Sequence, residues 1–382
     1  MKTISPFSRP LYVMVKPVGA HCNLSCKYCY YLGKKRLYNE ETQHMMSDNT
    51  LEQFVKKYIE AQTTNEVLFT WHGGEPLLRP LSFYKKVLEL EQKYANGKLI
   101  TNSLQTNGTL IDEKWAEFLA KNHWLVGVSI DGPQSMHDEY RRSQQGKPSW
   151  LMVRKGINLL NRYGVEWNAM AVVNKSNADY PLEFYHFFRD ELDCHYIQFT
   201  PIVEHGLDCN VLPHQWGSFL CQLFDEWVRN DVGKTFVQLF DATLANWVGV
   251  PPGVCTMARE CGHAAVMEFN GDVYSCDHFV FPEYKLGNIH QQSMVELLYS
   301  ERQTHFGRMK QEQLSEQCRQ CEWLFACNGE CPKNRWVDGI NYLCEGYRTF
   351  FAHVAPAMDT MKELLQQGLP PADIMKMTYG KY

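Results

Sequence analysis

The sequence predicts an α/β fold, a partial, open (β/α)6 barrel of the TIM type followed by a smaller cysteine-rich domain. Three observations lead there. Up to about residue 230, short β-rich runs alternate six times with longer stretches of helical period, and successive βα units argue for a parallel sheet. Six units fall short of the eight that close a TIM barrel, so the sheet stays open. Beyond about residue 235 the rhythm stops and cysteines become dense. The expected domains are therefore 1–235 and 236–382, the second ending in a helix.

The expected strands are LYVMVKP (11–17), EVLFTWH (66–72), ITNSLQT (100–106), WLVGVSI (124–130), EWNAMAVV (166–173) and HYIQFTPI (195–202). Between them lie the amphipathic stretches LEQFVKKYIEAQ, LSFYKKVLELEQKYA, EKWAEFLAKNH and VRKGINLLNRYG. FYHFFRDEL follows the fifth strand and WGSFLCQLFDEWVRN the sixth. In the second domain, AVMEFNGDVYSCDHF (265–279) reads as a β-hairpin turning at Asn270-Gly271. Cys276 and Asp277 then fall at the end of its second strand. The tail, with QQGLPPAD, reads as a helix and then a frayed end.

Composition narrows the class. The 382 residues are 45% hydrophobic with a net charge of −5, as in globular proteins, and no basic run argues for nucleic acid. The N-terminus lacks the apolar run of about 7–15 residues of a signal peptide, and no segment approaches about 18 consecutive apolar residues. A cytoplasmic protein without a membrane span is expected. There, fourteen cysteines are poor candidates for disulfides, because the compartment keeps thiols reduced.

Eleven of them fall into two sets. Cys22, Cys26 and Cys29, in HCNLSCKYCYY, follow the first strand with spacing C-x3-C-x2-C. Cys255, Cys261, Cys276, Cys318, Cys321, Cys327, Cys331 and Cys344 form the second set. Eight thiols make two sets of four, which suits two zinc sites or two fully ligated iron–sulfur clusters. Spacing alone does not choose between them. The trio does. A zinc site would need His21 as fourth ligand, yet adjacent residues point apart in extended chain. A 4Fe–4S cluster on three thiolates instead leaves one iron open to another molecule. The other suspicious stretches, WHGGEP, QTNGT and SIDGP, also end strands. Each alone reads as a turn, but all share the rim on which parallel barrels build sites. Cys194, Cys209 and Cys221 fit no pattern, Cys221 reading as a buried inert thiol in a helix.

The trio followed by an aromatic, with GGEP and the later cysteine series, resembles the radical S-adenosylmethionine (SAM) superfamily with a SPASM domain. In C-x9-G-x4-C (Cys261, Gly271, Cys276), SLQTNGT, LVGVSIDGP and YSCDH the chain is most similar to the anaerobic sulfatase-maturating enzymes. The resemblance implies three 4Fe–4S clusters and SAM as cofactors. It also implies oxidation of a Cys or Ser in an unfolded or nascent sulfatase polypeptide to formylglycine, and an electron donor such as flavodoxin or ferredoxin. In these terms Cys22, Cys26 and Cys29 ligate the SAM cluster, and Tyr30 lies near the adenine. Gly73 and Gly74 let backbone approach the methionine moiety, and Glu75 accepts from its ammonium. Ser129 and Arg141 hold the carboxylate and ribose. Tyr31 and Asn107 contact the substrate peptide. The family's pairing places Cys255, Cys261, Cys276 and Cys331 on one auxiliary cluster and Cys318, Cys321, Cys327 and Cys344 on the other. A 5'-deoxyadenosyl radical then takes a hydrogen atom from Cβ, Asp277 serves as base for the second oxidation, and the auxiliary clusters accept the electron.

Two other readings stand beside this one. One is a SPASM enzyme that modifies a different peptide. The other, of a different class, is an iron–sulfur electron carrier or zinc-stabilised binding module. GGEP beside a three-thiol site argues against the last, since a pure carrier has no reason to leave an iron open.

Overall fold

The computed structural model describes residues 10–38 and 44–377. The chain forms two compact units, each assembled from separate stretches. The first comprises the residues up to Ser129, Tyr140–Trp167 and Gly262–Arg308. The second comprises Ile130–Glu139, Asn168–Cys261 and the residues from Met309 onward.

The strands in chain order are β1 (Val13–Lys16), β2 (Glu66–Trp71), β3 (Leu99–Thr106), β4 (Leu125–Ser129), β5 (Trp167–Val173), β6 (Tyr196–Pro201), β7 (Phe236–Val237), β8 (Ala265–Glu268), β9 (Asp272–Tyr274) and β10 (Lys285–Asn288). All six strands read from the sequence are present, with ends that differ by a residue or two. In the first unit β1, β2, β3 and β4 pair in parallel, as the βα rhythm requires. One pairing was not foreseen: β8 lies parallel to β1 on its other side, with Lys16 opposite Glu268. β9 runs antiparallel to β8, and β10 antiparallel to β9. The expected hairpin exists, its turn closed by a 2.9 Å bond from Gly271 N–H to the Glu268 carbonyl. Gly271 sits at φ +86°, which a residue without Cβ adopts at little cost.

The helices between the strands are α1 (Asp48–Ala61), α2 (Leu81–Tyr94), α3 (Glu113–Lys121), α4 (Gln134–Tyr140), α5 (Trp150–Tyr163), α6 (Pro181–His186), α7 (Pro213–Asn230) and α8 (Gln238–Trp247). At two of their starts a side chain caps the helix. Ser47 Oγ accepts from Thr50 N at 3.1 Å, and Asp112 Oδ1 from Trp115 N at 2.9 Å, filling donors that a helix start leaves open. FYHFFRDEL departs from a plain helix: α6 stops at His186 and Phe187–Glu191 winds as a π-helix. α1 and α2 bury Phe54, Tyr58 and Tyr84 against Phe69 and Trp71 of β2. One polar chain crosses this core. Trp71 Nε1 donates to Asn102 Oδ1 (2.7 Å), and Asn102 Nδ2 donates to Glu91 Oε2 (2.9 Å).

In the second unit β5, β6 and β7 pair in parallel. After β10 come α9 (Met294–Leu298), α10 (Glu301–Glu312), α11 (Glu316–Arg319), α12 (Leu324–Cys327) and α13 (Cys344–Gln366). α7, α8 and α13 share an aromatic core of Phe224, Trp227, Phe240 and Phe350. The tail helix ends at Gln366, and PPAD opens a 3-10 turn over Pro371–Lys376. The expected frayed end lies outside the described residues. Among the described residues, no helix is long and apolar enough to cross a membrane.

Candidate active site

The loop after β1 carries the three clustered thiols and is held by backbone. Gly74 N donates to the Gly19 carbonyl and Glu75 N to the His21 carbonyl, both at 2.8 Å. The end of β2 is thereby laced to the cysteine loop. A Cβ on Gly74 would stand 1.9 Å from the His21 carbonyl oxygen, so its glycine admits the protein's own backbone. Gly73, at φ +142°, faces the Gly19 carbonyl in the same way.

Glu75 is fully buried. Its Oε1 accepts from Leu77 N (2.9 Å) and Thr106 Oγ1 (2.7 Å), and its Oε2 accepts from Asn107 N (2.8 Å). Burial pushes its carboxyl up to about 7 against these bonds and the charge of Arg141. A carboxylate has about four acceptor positions, so three donors leave room for one more. Arg141, itself buried, donates from Nη1 to the Tyr28 hydroxyl at 2.8 Å. Ser129 Oγ accepts from Gln105 Nε2 at 3.1 Å.

Asn107 bonds the cysteine loop. It is buried, its Nδ2 reaching Cys22 Sγ (3.6 Å) and Asn23 Oδ1 (2.8 Å) while its Oδ1 accepts from Thr109. Cys22 Sγ also accepts from Leu24 N at 3.4 Å. Burial, then the Glu75 charge, pushes the Cys22 thiol up to about 12, with Cys26 and Cys29 adding to the effect. Cys26 and Cys29 are thus close enough to Cys22 to oppose its ionisation. Such a set favours loading by a cation that displaces the protons.

Tyr31 is packed with Ala20, Val266, Tyr274 and Val280, and its hydroxyl donates to Glu268. Tyr30, expected near adenine, directs its hydroxyl to Asp277 Oδ2, its ring tilted 4.6 Å from that of His278.

Asp277 opens a short 3-10 turn directly after Cys276. Its Oδ1 pairs with Lys16 Nζ at 2.5 Å. Burial pushes the Asp277 carboxyl up, but the groups facing it, Lys16 foremost, outweigh this and hold it below the usual carboxylate range. Lys16 is completely buried at the end of β1, 3.3 Å from His72 Nδ1 and 3.9 Å from the centre of the Tyr31 ring. Burial and the Lys16 charge press the His72 imidazole down to about 3, so it is neutral. Lys16, His72 and Glu268 are the residues that sequence reasoning missed. The available signal was a lysine ending an apolar strand.

In the second unit, Cys318, Cys321, Cys327 and Cys344 all line one cavity of about 240 Å³ with Trp323 and Tyr347. These are the four that the family resemblance groups on one auxiliary cluster. Burial, then the Glu330 charge, pushes the Cys327 thiol up to about 12. Cys255, Cys261 and Cys331 all interact electrostatically with buried Lys310. No disulfide joins any of the fourteen cysteines.

Comparison with known proteins fits this geometry. Residues 17–188 match the radical SAM superfamily, and residues 255–322 match the SPASM iron-sulfur cluster-binding domain. The chain is 61% identical over 400 residues to a serine-type anaerobic sulfatase-maturating enzyme of Bacteroides thetaiotaomicron, covering 98% of this chain and 96% of that one. The chain belongs to this family. It is also 34% identical to a cysteine-type anaerobic sulfatase-maturating enzyme of Clostridium perfringens, over 91% of this chain and 97% of the relative. A solved structure of native anSMEcpe with bound AdoMet and Cp18Cys peptide superposes with a TM-score of 0.85 at 32% identity, covering 94% of this chain and 100% of that one. The expected fold class is borne out, and the zinc reading gives way to iron–sulfur. As a radical SAM enzyme of the sulfatase-maturating family, the chain takes 4Fe–4S clusters and SAM as cofactors. Cysteine thiolates are the ligands that such clusters take.

Proposed function

We propose that this enzyme oxidises a serine of an unfolded sulfatase segment to formylglycine, with Asp277 as the base. The observation that carries the base assignment is Asp277 itself: a carboxylate held ionised by Lys16 and oriented by Tyr30, the residue next to Cys29. The 61% identity to a serine-type relative, against 34% to a cysteine-type one, supports serine.

Cys22, Cys26 and Cys29 would hold the cluster at which reductive cleavage of SAM supplies the hydrogen-abstracting radical. The other steps belong to this chain's residues. A hydrogen atom leaves serine Cβ, the hydroxyl proton passes to Asp277, one further electron leaves, and the carbonyl forms. A positioned base of this kind is typically worth about 10²–10⁴-fold. Gly73 and Gly74 keep the cysteine loop in place, Glu75 offers its remaining acceptor position to the SAM ammonium, and Ser129 and Arg141 lie on the same rim to hold its carboxylate and ribose. Cys255, Cys261, Cys276 and Cys331, and separately Cys318, Cys321, Cys327 and Cys344, would carry the clusters that take the electron. The radical SAM partial barrel is residues 1–235, and the auxiliary-cluster domain, which also carries Asp277, is 236–382. We place the reaction in the cytoplasm, with a flavodoxin- or ferredoxin-type donor and no nucleic acid or membrane as partner.

The test is anaerobic incubation with SAM, reductant and paired peptides containing Ser or Cys, x, Pro or Ala, x, Arg, read by mass spectrometry. Loss of two hydrogens from the serine peptide, at a higher kcat/KM than for cysteine, is expected. SAM cleavage without peptide oxidation would point to a different peptide, and oxidation of cysteine alone would overturn the serine assignment. Asp277→Asn should still cleave SAM but form aldehyde at least tenfold more slowly; an unchanged aldehyde rate ends the base assignment.

A further inference from the structure

Lys310 lies on α10 and is completely buried. Lysines that only cover apolar surface carry their ammonium out to water. This one turns it inward, donating to the carbonyls of Cys255 (2.9 Å), Thr256 (2.7 Å) and Ala258 (2.5 Å). Three acceptors match the three N–H groups of an ammonium, whereas a neutral amine offers only two. The geometry therefore fixes both the charge and the loop that carries Cys255. Its field reaches Cys261, Cys255 and Cys331, three of the four thiols grouped on one auxiliary site. Arg335 extends the same arrangement. Its Nη1 donates to the Lys310 carbonyl (2.8 Å) and its Nε to the Gly329 carbonyl (3.0 Å), and its charge also acts on Cys261. Buried Glu330 acts against these cations on Cys255 and Cys261, where Lys310 stands ahead of it. On Cys327, of the other set of four, Glu330 is foremost among the charges, so the cations weigh on the first set and the anion alone on Cys327.

We propose that Lys310 is the positioning residue of the first auxiliary cluster, pinning the Cys255 loop and raising that cluster's reduction potential above that of the second. Net charge and hydrogen bonding around the ligands are what set such potentials. A buried cation favours the reduced, more negative state. The inference rests on the ligand grouping proposed above, and it gives the electron released during aldehyde formation a preferred first acceptor.

The test uses the anaerobically reconstituted full chain and its Lys310→Met, Lys310→Arg and Cys255→Ala variants, with iron counts and EPR-monitored redox titrations. Cys255→Ala identifies the first auxiliary signal by removing it. Lys310→Met should lower the reduced-to-oxidised ratio of that same signal at least tenfold at fixed potential, a downward shift of about 59 mV for one electron. The other two signals should stay in place, and Lys310→Arg should stay within about threefold of the parent. A Lys310→Met protein that titrates like the parent, while Cys255→Ala loses its cluster, overturns the proposal and leaves the ligand grouping intact. A Cys255→Ala protein with all its clusters overturns the grouping, and this proposal with it. If Lys310→Met does not fold, Arg335→Met provides the second measurement; the same downward shift supports the field of buried cations, and an unshifted potential overturns it.

Discussion

Replacing Gly74 by alanine tests whether GGEP is there for the cysteine loop. The new Cβ would lie 1.9 Å from the His21 carbonyl oxygen, 2.4 Å from its carbon and 2.8 Å from the Ala20 carbonyl carbon. Backbone does not yield as a side-chain tip does, so the loop must move by about 1 Å to restore a 3.0 Å contact. Two 2.8 Å bonds, Gly74 N to Gly19 O and Glu75 N to His21 O, stand in the way of that movement. Losing both costs about 2 kcal/mol, and overpacking adds roughly 1–3 kcal/mol. A total of about 3–5 kcal/mol is expected, concentrated on the loop with Cys22. Iron analysis of the anaerobically loaded protein should fall from about twelve atoms per chain towards about eight, and reductive SAM cleavage should be lost. Gly33→Ala is the control, because nothing lies within 4 Å of its Cβ. Full iron and normal SAM cleavage in Gly74→Ala would refute the argument.

Two further outcomes are expected. Glu91 is buried, Asn102 donates to it, and burial, opposed by that bond, raises its carboxyl from 4.5 to about 8. The folded protein keeps this proton while the unfolded chain loses it above 4.5, so stability falls as pH rises towards about 8. At pH 7 the cost is about 3 kcal/mol. Glu91→Gln should therefore raise the Tm by an amount that grows between pH 5 and pH 8; an offset independent of pH would contradict this. Lys16→Met leaves Asp277 beside a buried gap, and breaking a buried ion pair from one side costs about 3–5 kcal/mol. Its Tm should fall, and the double variant Lys16→Met/Asp277→Asn should recover part of the loss; strictly additive losses would show that the pair is not coupled.

The fold was readable because its determinants are local. Alternating apolar runs and amphipathic helices fix βα units within about thirty residues, and Asn270-Gly271 announces its own hairpin. The partner of β1 was not readable, since nothing in Val13–Lys16 specifies a strand some 250 residues away. The thiols were legible from spacing. The contacts of the side chains around them were not: nothing in the pattern shows that the Tyr31 hydroxyl bonds Glu268 or that the Asn107 amide reaches Cys22. Lys16 gave a signal, a cation closing an apolar strand, but its meaning depends on Asp277 arriving from a distant hairpin.

The parallel pairing of β1 with β8 has a consequence for biosynthesis. Until residues 265–268 leave the ribosome, one edge of β1 has no neighbour, and Lys16 has neither Glu268 opposite it nor Asp277 to neutralise it. At about 5–20 residues per second, the intervening stretch of roughly 250 residues takes about 12–50 s to translate. For that time the emerging chain presents an unpaired strand edge, the kind of surface that invites aggregation. A chaperone that shields nascent chains would find its target here, in the N-terminal βα units before the hairpin seals them.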